Sequence, residues 1–331
     1  MQAITYSDFG RARDVLGLET LEDIAPGPGE VRVKVALSGV NPSDVKSRAG
    51  RPGPVKPAFP RIIPHSDGAG TIEAVGEGVD PDRAGQRVWI WNGQWQRPFG
   101  TAATHITLPA VQAVPMPDAM DFETGANMGI PGLTACHAVF GGGEVAGQTL
   151  LVQGGSGTVG YLAVQLAKWG GARVLATASA RDFDRVMAAG AAEVFDYADS
   201  DLAQKVLAAN GGAPVDQVIE VELGQNIDLD AAVIAANGRL AAYGSAKEMS
   251  PQLPFFEMLF KAVTLDIILV YLLPKAERDA AIAQLHAALG AGGLDCPTER
   301  IFPLSQTAQA HEAVEEGARH GAILIDCQGT G

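Results

Sequence analysis

The amino-acid sequence predicts an α/β protein in which a β-rich domain accompanies a doubly wound parallel sheet. Three observations lead to this prediction. Residues 31–37 alternate apolar with polar or small side chains, the chain from residue 121 onward alternates strand and helix patterns, and a glycine-rich turn joins an apolar strand to a helix near residue 155. With 331 residues, the chain is long enough for two domains, each with its own core.

Residues 1–120 are predicted to form the β-rich domain. The alternation at residues 31–37 is typical of a half-buried strand. Further short strands are predicted at 70–75, 87–91 and 103–107, and glycine and proline separate them, most densely in residues 50–60. Short strands at such spacing favour a barrel or a sandwich over βαβ units.

Residues 121–266 are predicted to form the doubly wound domain, because strands and helices alternate there repeatedly. Strands are predicted at 150–152, 173–177, 193–195, 217–221 and 239–243. Helices are predicted at 123–127, 134–140, 182–189, 202–209 and 228–236, with one more directly after the glycine-rich turn. Residues 264–272 are a further apolar strand candidate, and the chain ends with a strand at 322–326.

The glycine-rich turn is the strongest indication of function. A strand, a G-x-G-x-x-G segment, a helix and a second strand follow one another within a unit of about 30 residues, the arrangement that binds dinucleotides. Glycine allows a tight turn, a close approach of the pyrophosphate and close packing of the helix on the strand, while the helix N-terminus attracts the anion. The cofactor-binding residues predicted here are Gly155, Ser156, Gly157, Thr158, Val159 and Gly160. The alternative is a purely structural glycine turn.

The end of the second strand indicates which dinucleotide binds. An NAD-binding unit places an Asp or Glu there to bind the ribose hydroxyls, whereas this chain has Ala178 followed by Ser179 and Arg181. A serine hydroxyl and a guanidinium can bind a 2′-phosphate that a carboxylate would repel. We therefore expect NADPH rather than NADH. The alternative is that Arg181 simply begins the next helix and faces water.

Composition narrows the range of partners and compartments. The formal net charge of −14 and the pI near 4.8 argue against nucleic acid or an anionic membrane as a partner. The longest strongly apolar stretch is too short to span a bilayer, and the N-terminus lacks the pattern of a signal peptide, so we expect a cytoplasmic protein. Three widely separated cysteines and scattered histidines predict neither a disulfide framework nor a structural zinc site.

Several segments resemble the medium-chain dehydrogenase/reductase superfamily. They are residues 38–44, 65–76, 84–88 and 131–135, in the order that the superfamily has them, and the resemblance covers nearly the whole chain. Within the superfamily the sequence is similar to the zinc-independent NADPH:quinone oxidoreductase (zeta-crystallin-like) branch. The resemblance implies that residues 1–120 and 267–331 form a GroES-like catalytic domain, that residues 121–266 form a Rossmann cofactor domain, and that the active site lies in the cleft between them.

The positions of the catalytic metal ligands distinguish the branches of the superfamily. Where zinc-dependent members hold the metal with cysteine, histidine and a second cysteine or carboxylate, this chain has Asn41, Ser66 and Ile130. These residues offer no good zinc ligand, and His65 beside Ser66 is one ligand only. We therefore expect no metal site.

The resemblance also implies roles for individual residues. Asn41, Lys46 and Thr134 occupy positions near the nicotinamide and are the candidate catalytic residues, although Lys46 stands where the family often has tyrosine. Tyr197 matches a tyrosine beside the 2′-phosphate. Residues Tyr243, Gly244 and Ser245 close a parallel strand and are expected near the nicotinamide half of the cofactor. Each role has a structural alternative. Asn41 would form an ordinary Asn-Pro turn and Lys46 would be a solvated surface lysine. Thr134 would be an ordinary helix N-terminal hydroxyl, and Tyr197 an aromatic residue at a strand end.

The expected activity is metal-free hydride transfer from NADPH to a quinone or an α,β-unsaturated carbonyl, because these acceptors need little acid assistance. Trp89, Trp91 and Trp95 either line the pocket of a flat acceptor or pack in the core. The apolar strand at 264–272 is a candidate edge for a homodimer. Two alternatives are a zinc-dependent alcohol dehydrogenase and a non-catalytic NADPH-binding protein, such as a redox sensor or a crystallin-like protein.

Overall fold

A computed structural model of the chain describes residues 1–50 and 56–329. Residues 51–55, which belong to the glycine- and proline-rich stretch of the predicted β-rich domain, and residues 330 and 331 lie outside the described residues. The chain divides into two compact units, Met1–Ile130 with Cys296–Gly331, and Pro131–Asp295. Within the described ranges, no helix has the length and the apolar character needed to cross a membrane.

The N-terminal part of the first unit is rich in strands, as predicted. Its strands are β1 (Gln2–Thr5), β2 (Gly17–Thr20), β3 (Glu30–Val40), β4 (Asp67–Val75), β5 (Arg87–Ile90), β6 (His105–Pro109) and β7 (Ala113–Pro115). Its helices are α1 (Ala12–Val15), α2 (Pro42–Ala49) and α3 (Phe122–Gly125). The alternating residues 31–37 form the centre of β3, where Val31, Val33 and Val35 are fully buried.

The second unit contains a parallel six-stranded sheet in the order β10-β9-β8-β11-β12-β13. Its strands are β8 (Thr149–Val152), β9 (Arg173–Ala178), β10 (Glu193–Asp196), β11 (Val215–Glu220), β12 (Ile234–Ala242) and β13 (Thr264–Ile267). Its helices are α4 (Leu133–Phe140), α5 (Thr158–Trp169), α6 (Phe183–Ala188), α7 (Leu202–Ala209), α8 (Leu223–Val233), α9 (Phe255–Phe260) and α10 (Lys275–Gly290). This arrangement confirms the predicted doubly wound α/β sheet.

The C-terminal elements return to the first unit. They are β14 (Thr298–Pro303), α11 (Thr307–Glu316) and β15 (Ala322–Asp326). Strand β15 pairs antiparallel with β3, with Ile325 opposite Ser38, and completes a seven-stranded sheet in the order β14-β15-β3-β4-β5-β7, with β6 also on β3. The final strand therefore rejoins the N-terminal domain, as the resemblance implies.

Several predicted elements have different bounds, and the helix at 228–236 and the strand at 264–272 show why. The helix predicted at 228–236 begins earlier, at Leu223, and ends at Val233, because Ile234 pairs with Val215 and begins β12. The strand predicted at 264–272 stops at Ile267, which pairs with Ala242 at the end of β12, so the following residues have no partner strand there and turn at Val270–Leu272.

The boundaries between the compact units also differ from the predicted domain boundaries, which are 120/121 and 266/267. Helix α3 packs against β3, β4 and β5, so residues 121–130 belong to the β-rich unit. Strand β13 pairs with β12, and α10 packs against α4, so residues 267–295 belong to the parallel-sheet unit. Local patterns mark where helices and strands alternate, whereas the boundary depends on which sheet each element covers.

Candidate functional site

The glycine-rich turn lies between β8 and α5 and is anchored on the neighbouring strand β9. The backbone N–H of Gly154 donates to the Thr177 hydroxyl over 3.0 Å, and that of Gly155 donates to the Thr177 carbonyl over 2.8 Å. Gly154, just before the predicted motif, has the left-handed conformation, with φ of +68°. The turn therefore has a defined shape before any ligand arrives.

The glycines of the motif have different surroundings, so a side chain would have a different effect at each of them. A Cβ on Gly160 would lie 2.2 Å from the Gly154 carbonyl oxygen, and one on Gly155 would lie 3.0 Å from Val186. These two positions allow α5 and α6 to pack against the turn. A Cβ on Gly157 would meet its nearest neighbour at 3.5 Å, and Gly157 is exposed. The backbone at Gly157, where α5 begins, is therefore open to a ligand.

Ser156, Thr158 and Val159 are half-buried beside this open position. They lie at the turn and in the first turn of α5, a helix of 12 residues. The first N–H groups of a helix have no partners within it, so this end offers donors to an anion. The predicted pyrophosphate-binding residues therefore surround one open, partly positive surface.

The predicted 2′-phosphate residues lie at the ends of β9 and β10. Ala178 is buried at the end of β9, Ser179 is half-buried, and the Arg181 side chain is 62% exposed, with its Nε 3.7 Å from Asp182. Tyr197 is also exposed, and its backbone N–H donates to the Ala178 carbonyl over 3.3 Å. The hydroxyl, the guanidinium and the aromatic ring are thus all accessible where the two strands end.

Residues Tyr243, Gly244 and Ser245 follow β12 and are held in place by the turn after β11. A Cβ on Gly244 would lie 2.3 Å from the Val221 carbonyl oxygen, so the two turns approach closely. The Ser245 hydroxyl accepts a hydrogen bond from the Gly224 N–H over 2.9 Å. Burial, followed by the charge of Glu220, raises the pKa of Tyr243.

Glu222, which no sequence motif marks, organises this second turn. Its carboxylate accepts hydrogen bonds from the backbone N–H groups of Ala246 at 2.9 Å, Lys247 at 2.8 Å and Glu248 at 3.4 Å. Consecutive N–H groups directed at one carboxylate form an anion-binding nest. The Glu222 side chain thereby holds the segment that continues from Ser245.

In the first unit, Asn41 links two buried carboxyl groups. Its backbone N–H donates to Asp44 over 2.7 Å at the start of α2, and its side-chain nitrogen donates to Asp67 over 2.7 Å. Burial raises the pKa of Asp44 to about 7 and raises the pKa of Asp67 well above its ordinary value. Neither carboxyl was singled out from the sequence, because their role depends on the proximity of α2 and β4.

The other two candidate catalytic residues have contrasting surroundings. Lys46 is exposed on α2, whereas Thr134 is buried in the first turn of α4, in the second unit. The tryptophans also differ, because Trp89 and Trp91 are buried in the β5 region and Trp95 is partly exposed. The burial of Trp89 and Trp91 favours core packing over a pocket lining for those two residues.

The residues at the metal-ligand positions do not fit a zinc ion. Asn41 is bonded to Asp67, Ser66 is buried, and Ile130 has no ligand atom in its side chain. His65 uses both ring nitrogens, one with Ser38 and one with His311, each at 2.9 Å. Across the part of the chain that the structure describes, no three His, Cys, Asp or Glu residues are placed to hold a metal ion.

Comparisons with known proteins agree with this two-part architecture. Residues 27–118 match the family model of the alcohol dehydrogenase GroES-like domain, and residues 158–287 match that of the zinc-binding dehydrogenase. The quinone oxidoreductase of Rattus norvegicus is 32% identical over 335 residues, which cover 98% of this chain and 97% of the relative.

Two solved structures show the same fold over almost their full length. One is a mycobacterial protein complexed with NADPH, 27% identical, with a TM-score of 0.85 over 98% of this chain and 99% of that one. The other is an NAD-dependent alcohol dehydrogenase with the same identity, TM-score and coverage. The chain is thus similar both to a protein complexed with NADPH and to an NAD-dependent enzyme, so the likeness of fold alone does not select the cofactor.

Proposed function

This chain belongs to the quinone oxidoreductase branch of the medium-chain dehydrogenase/reductase superfamily, and from that premise we propose that it is an NADPH-dependent reductase of quinones or α,β-unsaturated carbonyls that uses no metal. The observation that carries the proposal is the open glycine-rich turn, where Gly160 packs on Gly154 and the Gly157 backbone stays accessible. The mycobacterial relative, which is complexed with NADPH, supports the same cofactor.

The second unit holds the cofactor. The backbone N–H of Thr158 and the positive end of α5 bind the pyrophosphate beside the open Gly157. Arg181 and Ser179 bind the 2′-phosphate through charge-assisted hydrogen bonds, and Tyr197 packs beside it. When bound, NADPH supplies the hydride, and the protein supplies position and polarity.

The acceptor needs a hydrogen-bond donor at its oxygen. As hydride reaches a quinone or an enone, negative charge develops on its oxygen, and a hydrogen-bond donor stabilises that charge. An amide nitrogen carries two hydrogens, so Asn41 can hold Asp67 with one and offer the other to the acceptor oxygen. The hydroxyl of Thr134 is a second candidate donor, and Lys46, exposed on α2, is a candidate proton source together with water.

The absence of suitable zinc ligands at Asn41, Ser66 and Ile130 supports a metal-free reaction. An alcohol substrate would need a Lewis acid to lower the pKa of its hydroxyl, and these side chains cannot hold one. Quinones and enones do not need it, because their oxygen is already conjugated to the reacting centre. The residues therefore favour reduction of conjugated acceptors.

We also propose that the protein forms a homodimer through β13. This strand ends the sheet order of the second unit, and Ile267 on it is 73% exposed. Leu269 and Leu272 follow it and are also exposed. An unpaired strand edge with apolar side chains favours pairing with a second copy.

The activity is tested by NADPH oxidation with 1,4-benzoquinone, 9,10-phenanthrenequinone, acrolein and 2-cyclohexenone, with and without a chelator. We expect turnover that the chelator does not change, with a clear preference for one acceptor class. Stoichiometric zinc with activity lost to the chelator would instead identify an alcohol dehydrogenase. NADPH binding without turnover of any acceptor would identify a non-catalytic NADPH-binding protein.

A further inference from the structure

Behind the glycine-rich turn lies a chain of four buried polar side chains, which we call the buried polar chain: Thr177, Gln153, Asp230 and Glu220. We propose that the buried polar chain positions the glycine-rich turn for cofactor binding, and that Glu220 and Asp230 share one proton at the end of it that is farther from the turn. The proposal rests on the proposed function only for the identity of the cofactor. The buried polar chain itself is observed in the second unit and does not depend on the cofactor.

Along the buried polar chain, every hydrogen bond is donated in the same direction, from the glycine-rich turn toward Asp230. Asp230 is an acceptor for the Gln153 side-chain nitrogen at 3.0 Å, which leaves the Gln153 oxygen pointing to Thr177. The Thr177 hydroxyl donates to that oxygen over 2.8 Å, and its own lone pair then accepts from the Gly154 N–H over 3.0 Å. The Gln153 oxygen thus holds the Thr177 hydroxyl hydrogen away from the turn and leaves the Thr177 lone pairs for the Gly154 N–H.

The far end of the chain is a pair of carboxyl groups with no access to solvent. Glu220 and Asp230 are both fully buried, and Oδ2 of Asp230 accepts no hydrogen bond from any group among the described residues. Two ionised carboxylates in contact would repel each other in a medium that solvates them poorly, so one proton between them is the stable state. Burial raises the pKa of Asp230 well above its ordinary value, with the charge of Glu220 as the second cause, and burial also raises the pKa of Glu220.

The same pair also holds the turn after β11. Glu220 accepts the backbone N–H of Glu222 and the side-chain amide of Asn226, the latter at 3.1 Å to each oxygen. Glu222 in turn binds the segment after Ser245. The carboxyl pair therefore supports both turns that are predicted to contact the cofactor.

Loss of the shared proton would place two negative charges side by side and loosen the contact between α8 and β11. The groups that face the pair from the other elements are Gln153 on β8, Asn226 on α8 and Tyr243 after β12, whose pKa the Glu220 charge raises. None of them is a cation that would compensate a second charge. Cofactor binding should therefore weaken at alkaline pH.

The test compares Thr177→Val with Thr149→Val. Both replace a buried threonine of the same sheet with a residue of nearly the same shape. Thr177→Val removes two hydrogen bonds, with Gln153 and with Gly154, whereas Thr149→Val removes the one with Asn210 at the opposite end of β8. The dissociation constant of NADPH is measured by fluorescence titration from pH 6 to pH 10. Thr177→Val should raise it about tenfold at pH 7, because the Gly154 N–H loses its partner, and Thr149→Val less than about twofold.

The wild-type dissociation constant should rise at alkaline pH, and Asp230→Asn should abolish that rise, because the amide donates to Glu220 at every pH. Wild-type affinity in Thr177→Val, or an alkaline rise that persists in Asp230→Asn, would overturn the proposal. If the wild type binds no NADPH, the proposed cofactor is wrong, and hydrogen exchange of the cofactor-free protein decides instead. Faster exchange of the Gly154 N–H in Thr177→Val than in Thr149→Val then supports the proposed role of the buried polar chain in holding the turn, and equal exchange refutes it.

Discussion

The side-chain nitrogen of Asn41 donates a hydrogen bond to Asp67 over 2.7 Å, and both residues are buried. The contact joins the N-terminus of α2 to the start of β4, 26 residues further along the chain. It holds the amide at one orientation in the first unit. An amide held in this way is preorganised to act on a ligand, which makes Asn41 the first residue to test.

Replacing Asn41 with alanine should lower kcat for 1,4-benzoquinone by about tenfold or more, because the donor to the developing oxyanion is lost. The dissociation constant of NADPH should change little, since the residues proposed for the pyrophosphate and the 2′-phosphate lie in the other unit. Ser47→Ala on the exposed side of α2 is the matched control and should keep wild-type kcat. An unchanged kcat in Asn41→Ala would remove this residue from the mechanism.

The cofactor preference depends on Arg181. Arg181→Ala should lower kcat/KM for NADPH by about tenfold, through the loss of a charge-assisted hydrogen bond, and leave kcat/KM for NADH nearly unchanged. Arg173→Ala removes an exposed arginine from the other end of β9, where it pairs with Glu193, and should affect neither cofactor. Equal losses of kcat/KM for both cofactors would show that Arg181 does not bind the 2′-phosphate.

The close packing at the glycine turn predicts a large effect of one methyl group. Gly160→Ala should destabilise the protein by about 1–3 kcal/mol and abolish tight NADPH binding, because the new Cβ would meet the Gly154 carbonyl oxygen at 2.2 Å. Gly290→Ala has nothing within 4 Å of the new Cβ at the end of α10 and should leave stability nearly the same. Thermal unfolding and NADPH titration of both variants check this. Similar behaviour of the two would contradict the packing argument.

Asp44 should make the protein less stable as the pH rises from about 4 to about 7. Its pKa is about 7 in the folded state against an ordinary value of 3.8, so over this range the unfolded chain releases a proton that the folded protein retains. The free energy of unfolding of Asp44→Asn relative to wild type should therefore increase with pH between these values and level off above them. The buried histidines, whose pKa values burial lowers, act in the opposite direction but cancel in this difference. A difference that does not vary with pH would contradict the assignment.

The proposed dimer is tested at Ile267. Ile267→Lys places a charge on the exposed edge strand and should shift the protein from dimer to monomer, as measured by analytical ultracentrifugation. Val111→Lys makes the same kind of change at an exposed residue of the other unit and should leave the assembly state unchanged. A monomeric wild type, or a dimeric Ile267→Lys, would rule out this interface.

Much of the fold could be predicted because it depends on local spacing. The period-two pattern of residues 31–37 identifies β3, and the glycine-rich turn between β8 and α5 lies where the motif places it. The predicted end of the strand at 264–272 was wrong, because its length is limited by its partner β12 rather than by its own apolar residues. The placement of Ser179, Arg181 and Tyr197 at adjacent strand ends follows from the parallel order of β9 and β10.

By itself, the sequence determined the two kinds of domain, the dinucleotide motif and the superfamily, since each is encoded by neighbouring residues or short segments in order. Only the tertiary structure decided which polar groups meet in the interior: Asn41 with Asp67, Thr177 with Gln153, and Glu220 with Asp230. These pairs join residues from different strands and helices. Their partners depend on which elements become neighbours when the sheets form, and a buried polar group must find its hydrogen bond there.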